Sequence, residues 1–125
     1  MKISVVSIEN QGDREKEVVT FAVEQECDLH SYLVANATFA PDDHITKMFQ
    51  DTYWFPSRKV KEGDYVLLFS RNGEDTEQKN NLGSTSHILF WGAPDAVWHE
   101  KDTEIALFEL SGWSLEKTRT FVRLV

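Results

Sequence analysis

The feature that most constrains the fold of this chain is the spacing of its short apolar runs. They recur about every ten residues and are separated by glycine, proline, asparagine or aspartate, as in all-β proteins. Apolar side chains alternate within several runs, for example Val19, Phe21 and Val23, which places them on one face of a strand. No segment shows the longer period of an extended amphipathic helix. The pattern therefore predicts an all-β chain.

Seven short strands are predicted, and together they favour a single immunoglobulin-like β-sandwich with antiparallel strands. A closed barrel remains the alternative, because the number of strands does not separate the two. Asn72–Ser86 contains one apolar residue, Leu82, and is expected to be a long mobile loop. Residues 111–125 are expected to form a C-terminal extension with a last strand. The predicted strands are Ile3–Ile8, Val18–Val23, Leu29–Thr38, Tyr65–Arg71, His87–Gly92, Thr103–Leu110 and Thr118–Val125.

Length and composition indicate one ordinary domain spanning residues 1–125. With 125 residues and 41% apolar residues, the chain can build a core without disulfide or metal support. The formal net charge of −8 argues against a general nucleic-acid binder. Cys27 is the single cysteine, which fits a reducing compartment. The longest unbroken apolar run, Tyr65–Phe69, is far too short to span a membrane. We therefore expect a soluble cytoplasmic protein without membrane association.

Three groups of short motifs resemble the lamin-tail domain, an immunoglobulin-like β-sandwich. The first is an Asp-Leu pair followed by an aromatic residue. The second is Phe-Pro, a glycine-centred turn and a Tyr-Val strand. The third is an aromatic-glycine pair, a tryptophan and an Asp-Thr that leads into a strand. The matching residues are Asp28-Leu29-His30-Ser31-Tyr32; Phe55-Pro56, Val60, Gly63 and Tyr65–Leu68; and Trp91-Gly92, Trp98 and Asp102–Ile105.

The resemblance implies a protein-interaction module without catalytic residues. Lamin-tail domains contact proteins and sometimes nucleic acid, and they are often attached to enzymes without being catalytic. The present domain is then expected to be a stand-alone binding subunit or adaptor whose partner is another protein chain. The resemblance brings no catalytic residue and no cofactor.

The residues themselves give little support to catalysis. His30, His44, His87 and His99 form no ligand-spaced pair, and no Cys-x-x-Cys or His-Glu-x-x-His motif is present. No glycine-rich loop opens onto a helix, so the chain lacks a phosphate cradle of that kind. We therefore expect no enzyme activity, no metal and no cofactor.

The candidate binding residues combine aromatic and basic side chains, the types that dominate interaction hot spots. They are Trp54, Arg58, Lys59, Lys61 and Trp98. Such a patch also suits single-stranded nucleic acid, although the net charge argues against that ligand. Two other functions stay open. One is an acidic inhibitor that mimics nucleic acid and blocks a nucleic-acid-binding protein. The other is a small metal-dependent hydrolase.

Overall fold

A computed structural model describes residues 1–39, 45–47, 51–98, 103–118 and 122–125, and for residues 38, 39 and 45–47 it describes the backbone alone. The described residues form eleven strands and one short 3-10 helix, Leu29–Ser31. The strands are β1 (Ile3–Glu9), β2 (Val18–Val23), β3 (Cys27–Asp28), β4 (Tyr32–Phe39), β5 (Ile45–Lys47), β6 (Thr52–Trp54), β7 (Lys59–Val60), β8 (Tyr65–Phe69), β9 (Thr76–Lys79), β10 (Thr85–Phe90) and β11 (Thr103–Glu109).

The strands form two main sheets and a small one. The first sheet has the order β1-β2-β8-β10-β9, and the second has the order β11-β4-β5. β6 pairs with the first half of β4, on the edge away from β11. β3 and β7 form a separate two-stranded sheet. The chain is thus an all-β, sandwich-like domain, as the sequence predicts.

The core lies between the sheets and is built from the predicted alternation. Val19, Phe21 and Val23 of β2 are all buried, and so are Val66 and Leu68 of β8. Burial of this apolar surface is the main source of the fold's stability, at roughly 25 cal/mol per Å² removed from water. Large side chains complete the core, namely Tyr32, Phe55 and Trp98. The same alternation therefore fixes which side chains face outward.

One pairing differs from the predicted antiparallel arrangement. β8 and β10 are adjacent and parallel, with Val66 opposite His87 and Leu68 opposite Leu89. The chain leaves β8, runs through β9 at the edge of the sheet and returns as β10 between them. Parallel neighbours require such a crossover, which strand spacing along the sequence does not reveal.

The expectation of a long mobile loop over Asn72–Ser86 is wrong at two places. Thr76–Lys79 forms β9, and β10 already begins at Thr85. β9 is entirely polar and exposed, so it carries no apolar alternation to detect. Backbone pairing with β10 holds β9 in place. Polar, exposed side chains on an edge strand also protect it against aggregation.

Two other predicted strands also differ from those in the structure. The strand predicted from Leu29 begins at Tyr32, because Leu29–Ser31 forms the 3-10 helix capped by Asp28. The last strand, predicted over Thr118–Val125, has no counterpart at residues 118 and 122–125, and residues 119–121 lie outside the described part.

Candidate binding surfaces

The structure separates the five predicted binding residues into three places. Trp98 belongs to the core, with only 1% of its surface exposed. Its ring contacts Trp91 edge to face, with centroids 5.9 Å apart. The prediction that Trp98 forms part of an exposed aromatic-basic patch is therefore wrong, because its bulk fills the sandwich interior. Trp54 and the basic residues lie outside the core.

Trp54 belongs to an aromatic cluster on the surface. Its ring stacks on that of His30 with centroids 4.3 Å apart and an angle of 9° between planes. Trp113 contacts both rings edge to face, at 5.1 Å from His30 and 5.5 Å from Trp54. Trp113 is still 48% exposed. The segment after β11 therefore contributes an aromatic side chain to a cluster that remains open to solvent.

Hydrogen bonds hold His30 and Trp54 in this stack. Trp54 Nε1 donates to the His30 carbonyl at 2.7 Å. His30 Nδ1 lies 2.8 Å from the Phe55 carbonyl, and because a carbonyl only accepts, Nδ1 carries the hydrogen. These bonds fix both rings before any partner arrives, which lowers the entropy cost of binding through them.

Asp28 anchors the turn that carries His30. Its carboxylate accepts hydrogen bonds from the backbone N–H groups of His30 and Arg58, at 2.9 and 3.1 Å. It also accepts one from Ser57 Oγ at 2.8 Å. Partial burial opposes ionisation, but these bonds outweigh it and hold the pKa of Asp28 below its usual value. The predicted Asp-Leu motif therefore has a structural role at the base of the aromatic cluster.

The aromatic cluster continues onto the outer face of the second sheet. On β4, Leu33 alternates with the inward-facing Tyr32 and Val34, and its neighbours across the sheet are Phe108 of β11 and Trp54 of β6. By the same alternation, Ala106 lies on this outer face. We call Leu33, Trp54, Ala106, Phe108 and Trp113 the outer apolar face. Phe108 is 36% exposed and the other four are exposed or half-buried.

The basic residues lie at another position, around a groove of about 380 Å³. Lys59 and Lys61 flank Val60, which is buried, so both lysines face away from the core. Arg58 reaches toward Glu77 of β9, with 3.9 Å between Nη1 and Oε1. We call the site lined by Lys59, Lys61, Lys79, Ser84, Thr85 and His87 the lysine groove.

A buried Asp-His pair lies beneath the lysine groove. Asp64 Oδ2 is 3.0 Å from His87 Nε2, and His87 is 3% exposed. The Asp64 carboxylate also accepts the backbone N–H groups of Lys61 and Thr85. Burial opposes ionisation of Asp64, but the bonds from His87 and the two amides hold its pKa below the usual value. The pair thus ties the turn before β8 to the start of β10.

Glu17 is a buried carboxylate for which local sequence patterns provide no signal. It is fully buried, and it accepts hydrogen bonds from Gly12 N at 3.0 Å, from Val97 N at 2.7 Å and from Ser70 Oγ. These donors come from three separate loops. Glu17 therefore joins the turn before β2, the end of β8 and the segment that carries Trp98.

Cys27 and Tyr32 border a smaller groove of about 220 Å³. Burial raises the pKa of the Cys27 thiol, so it is protonated and a poor nucleophile near neutral pH. Tyr32 Oη donates to Glu109 at 2.6 Å and accepts from Lys2 N at 3.0 Å. Burial and the Glu109 hydrogen bond raise the pKa of Tyr32 to about 12. Both groups thus act as structural hydrogen-bonding or packing residues.

Metal-ligating side chains do not converge in the described part of the chain, where no group of three or more histidines, cysteines and acids has suitable geometry. His44 and His99 lie outside the described residues. None of the described helical segments is long and apolar enough to cross a membrane. Neither a protein-family model nor a curated protein sequence matches this chain.

The sequence missed part of each surface. His30 and Trp113 join Trp54, and Lys79 joins Lys59 and Lys61, although they are far apart along the chain. Strand pairing brings them together, and pairing cannot be deduced from local patterns. Trp113 carried a usable signal, since a tryptophan just after a glycine turn has no strand neighbours to bury it.

Proposed function

We propose that this domain is a non-catalytic protein-interaction module that binds another protein chain through the outer apolar face. The single observation that carries the proposal is the aromatic cluster of His30, Trp54 and Trp113, which lies outside the core and remains partly open to solvent. Tryptophan is among the most frequent hot-spot residues in protein interfaces.

The chemistry of the surface points to a protein partner. Leu33, Ala106 and Phe108 extend the cluster across the outward face of the paired strands β4 and β11. Flat apolar faces with aromatic anchors suit a complementary protein surface better than a small molecule, which prefers an enclosed pocket. The partner is expected to present an apolar patch with few charges at its centre.

The resemblance to lamin-tail domains supports the same function, and we propose that the domain is related to them. That relationship rests on the short motifs around Asp28, Phe55 and Trp91. The free Cys27 and the acidic composition support a cytoplasmic location. The partner then comes from the same compartment.

An affinity capture with matched variants tests the proposal. Tagged wild-type protein, Trp113→Ala and Leu82→Ala are incubated with native lysate, with and without nuclease, and bound proteins are quantified by mass spectrometry. Leu82 is 71% exposed in the turn between β9 and β10, so Leu82→Ala is a control for loss of an exposed apolar side chain elsewhere.

A nuclease-resistant partner should be retained by wild type and Leu82→Ala but reduced at least about tenfold by Trp113→Ala, as for a hot-spot residue. Trp113→Ala should remain folded, because an exposed aromatic contact contributes only about 1 kcal/mol. Equal capture by all three proteins would contradict the assignment of the surface. Loss of every partner with nuclease would contradict a protein-binding function.

A further inference from the structure

The lysine groove combines several donors around one half-open space. Lys59 and Lys61 approach it from β7 and the residue after it, and Lys79 approaches from the end of β9. Thr85 contributes a hydroxyl group from the start of β10, whereas the Ser84 hydroxyl already donates to Asn80 Oδ1 at 3.2 Å. At about 380 Å³ the groove falls within the size range of sites that bind small molecules.

The three lysine ammonium groups are available for a ligand. None of them forms an ion pair within 4.0 Å in the described ranges, and Lys79 Nζ makes one weak hydrogen bond, 3.3 Å long, to Thr85 Oγ1. In a chain with a net charge of −8, three unpaired cations around one groove are a strong local exception. Such a grouping creates a positive potential that attracts anions.

Two of the three acidic residues that line the groove already have partners. Asp64 accepts hydrogen bonds from His87 and from two backbone amides, so its oxygens are already engaged, although the carboxylate keeps its charge. Glu77 faces Arg58. Glu62 is exposed in the turn before β8 and is the one lining acid without such a partner among the residues described. Three lysines and three acids thus line the groove, and Arg58 beside Glu77 brings the local formal charge of these seven side chains to +1.

His87 lines the base of the groove and is itself buried. Its Nε2 donates to Asp64, since a carboxylate only accepts. Its Nδ1 is buried and is the side-chain polar atom that lacks a hydrogen-bond partner within the described chain. With the hydrogen on Nε2, Nδ1 is an acceptor and cannot donate to an oxyanion, so the anion must be held by the lysines and hydroxyls of the groove.

We propose that the lysine groove binds a phosphate-class oxyanion. Arginine is the residue best shaped for a planar carboxylate, and the nearest one, Arg58, is directed at Glu77. Three separate ammonium groups and the Thr85 hydroxyl instead suit an anion with nearly two charges and three outer oxygens. The lysine groove and the outer apolar face share no residue, so this proposal does not depend on the protein-binding function.

The experiment is an NMR titration with methyl phosphate at constant ionic strength of about 0.15 M and pH about 7.5, where a phosphate monoester is dianionic. The backbone amide of Thr85 and the imidazole of His87 report on the groove. Both signals should shift with one saturable midpoint. Methyl sulfate, which has a similar shape and a single charge, should bind at least about fivefold more weakly, and acetate likewise.

Charge variants complete the test. Lys61→Gln should weaken methyl phosphate binding about fivefold, and Glu62→Gln should strengthen it by a few fold, because each changes one charge at the groove. Lys117→Gln removes an exposed lysine elsewhere and should leave the midpoint unchanged. No saturation by about 50 mM, equal binding of methyl sulfate, or an unchanged midpoint in Lys61→Gln would each overturn the proposal.

Discussion

At the scale of single residues, buried and half-buried carboxylates determine how the loops join the sheets. Glu17, Asp64 and Asp28 each collect hydrogen bonds from segments that are distant in sequence. A buried acceptor of this kind is costly when its donors are absent and stabilising when they are present. These acids therefore contribute to the fold more than to surface charge.

Replacing Glu17 by glutamine should destabilise the domain by about 2 kcal/mol or more. The new amide NH2 would face the N–H of Val97 or Gly12, so that two donors oppose each other at a fully buried position. Urea unfolding followed by circular dichroism measures the change. Glu15→Gln, at an exposed position in the same turn, should change stability by less than about 0.5 kcal/mol. A comparable loss in both variants would contradict the role assigned to Glu17.

Asp64 should make the free energy of unfolding decrease as the pH falls into the acid range. Its pKa in the folded protein lies below the ordinary value of 3.8, so the unfolded chain binds its proton first as pH falls. The stabilisation from Asp64 is therefore complete above about pH 5 and is lost as pH falls below 3.8 toward the lower folded pKa.

The measurement compares the unfolding free energies of wild type and Asp64→Asn from pH 7 down to about pH 2. Wild type should be more stable at neutral pH, and the difference should shrink below the ordinary pKa. Glu62→Gln, an exposed neighbour in the same turn, serves as the control for general charge effects. A difference between the two proteins that stays constant with pH would show that folding does not lower the pKa of Asp64.

At the scale of secondary-structure elements, the segment between β8 and β9 shows how an edge strand without apolar residues is positioned. The guanidinium of Arg71 lies over the rings of Phe69 and Phe90, at 5.2 and 4.8 Å from their centroids. Asp75 Oδ1 accepts the backbone N–H of Phe90 at 3.0 Å. These contacts direct the chain into β9.

Gly73 in this segment should tolerate no side chain. A methyl group at this position would overlap the ring of Phe90, so Gly73→Ala must displace either the ring or the crossover. We expect a loss of about 1–3 kcal/mol. Thermal or urea unfolding provides the measurement, and Gly112→Ala, which would meet no atom within 4 Å, is the matched control. An unchanged stability in Gly73→Ala would mean that the crossover packs loosely on Phe90.

Apolar alternation determines which of the strands could be predicted from the sequence. Strands with an apolar face, such as β2 and β11, were predicted within a residue or two because burial requires their alternation. β9 was missed because its four residues are polar, and β3 and β7 have two residues each. The parallel pairing of β8 and β10 depends on the path of the chain in space rather than on the residues in either strand.

The candidate site was predicted less well than the fold. Trp54, Lys59 and Lys61 are on the surface, but Trp98 is buried, since aromatic identity alone does not separate a core residue from an interface residue. Only the alternation on β4, β6 and β11 reveals that Trp54 and Phe108 share an outward face. Site prediction therefore requires the register of the strands.

At the scale of the whole molecule, the sandwich presents two chemically different surfaces. The outer apolar face lies on the second sheet, and the lysine groove lies beside β7 and the β9–β10 turn. The core between the sheets holds Trp98 and Phe55 and keeps both surfaces in fixed positions. Binding at either surface therefore requires no rearrangement of the core.

Site-specific photocrosslinking in native lysate tests most directly whether a protein partner binds the outer apolar face. A benzoylphenylalanine replaces Phe108 on the outer apolar face, and in a separate protein it replaces Leu82, which is exposed in the β9–β10 turn. Binding through the outer apolar face predicts one discrete cross-linked protein species from position 108, reduced by Trp113→Ala, and none of that species from position 82. The same species from both positions, or none from position 108 while affinity capture still recovers the partner, would contradict binding through the outer apolar face.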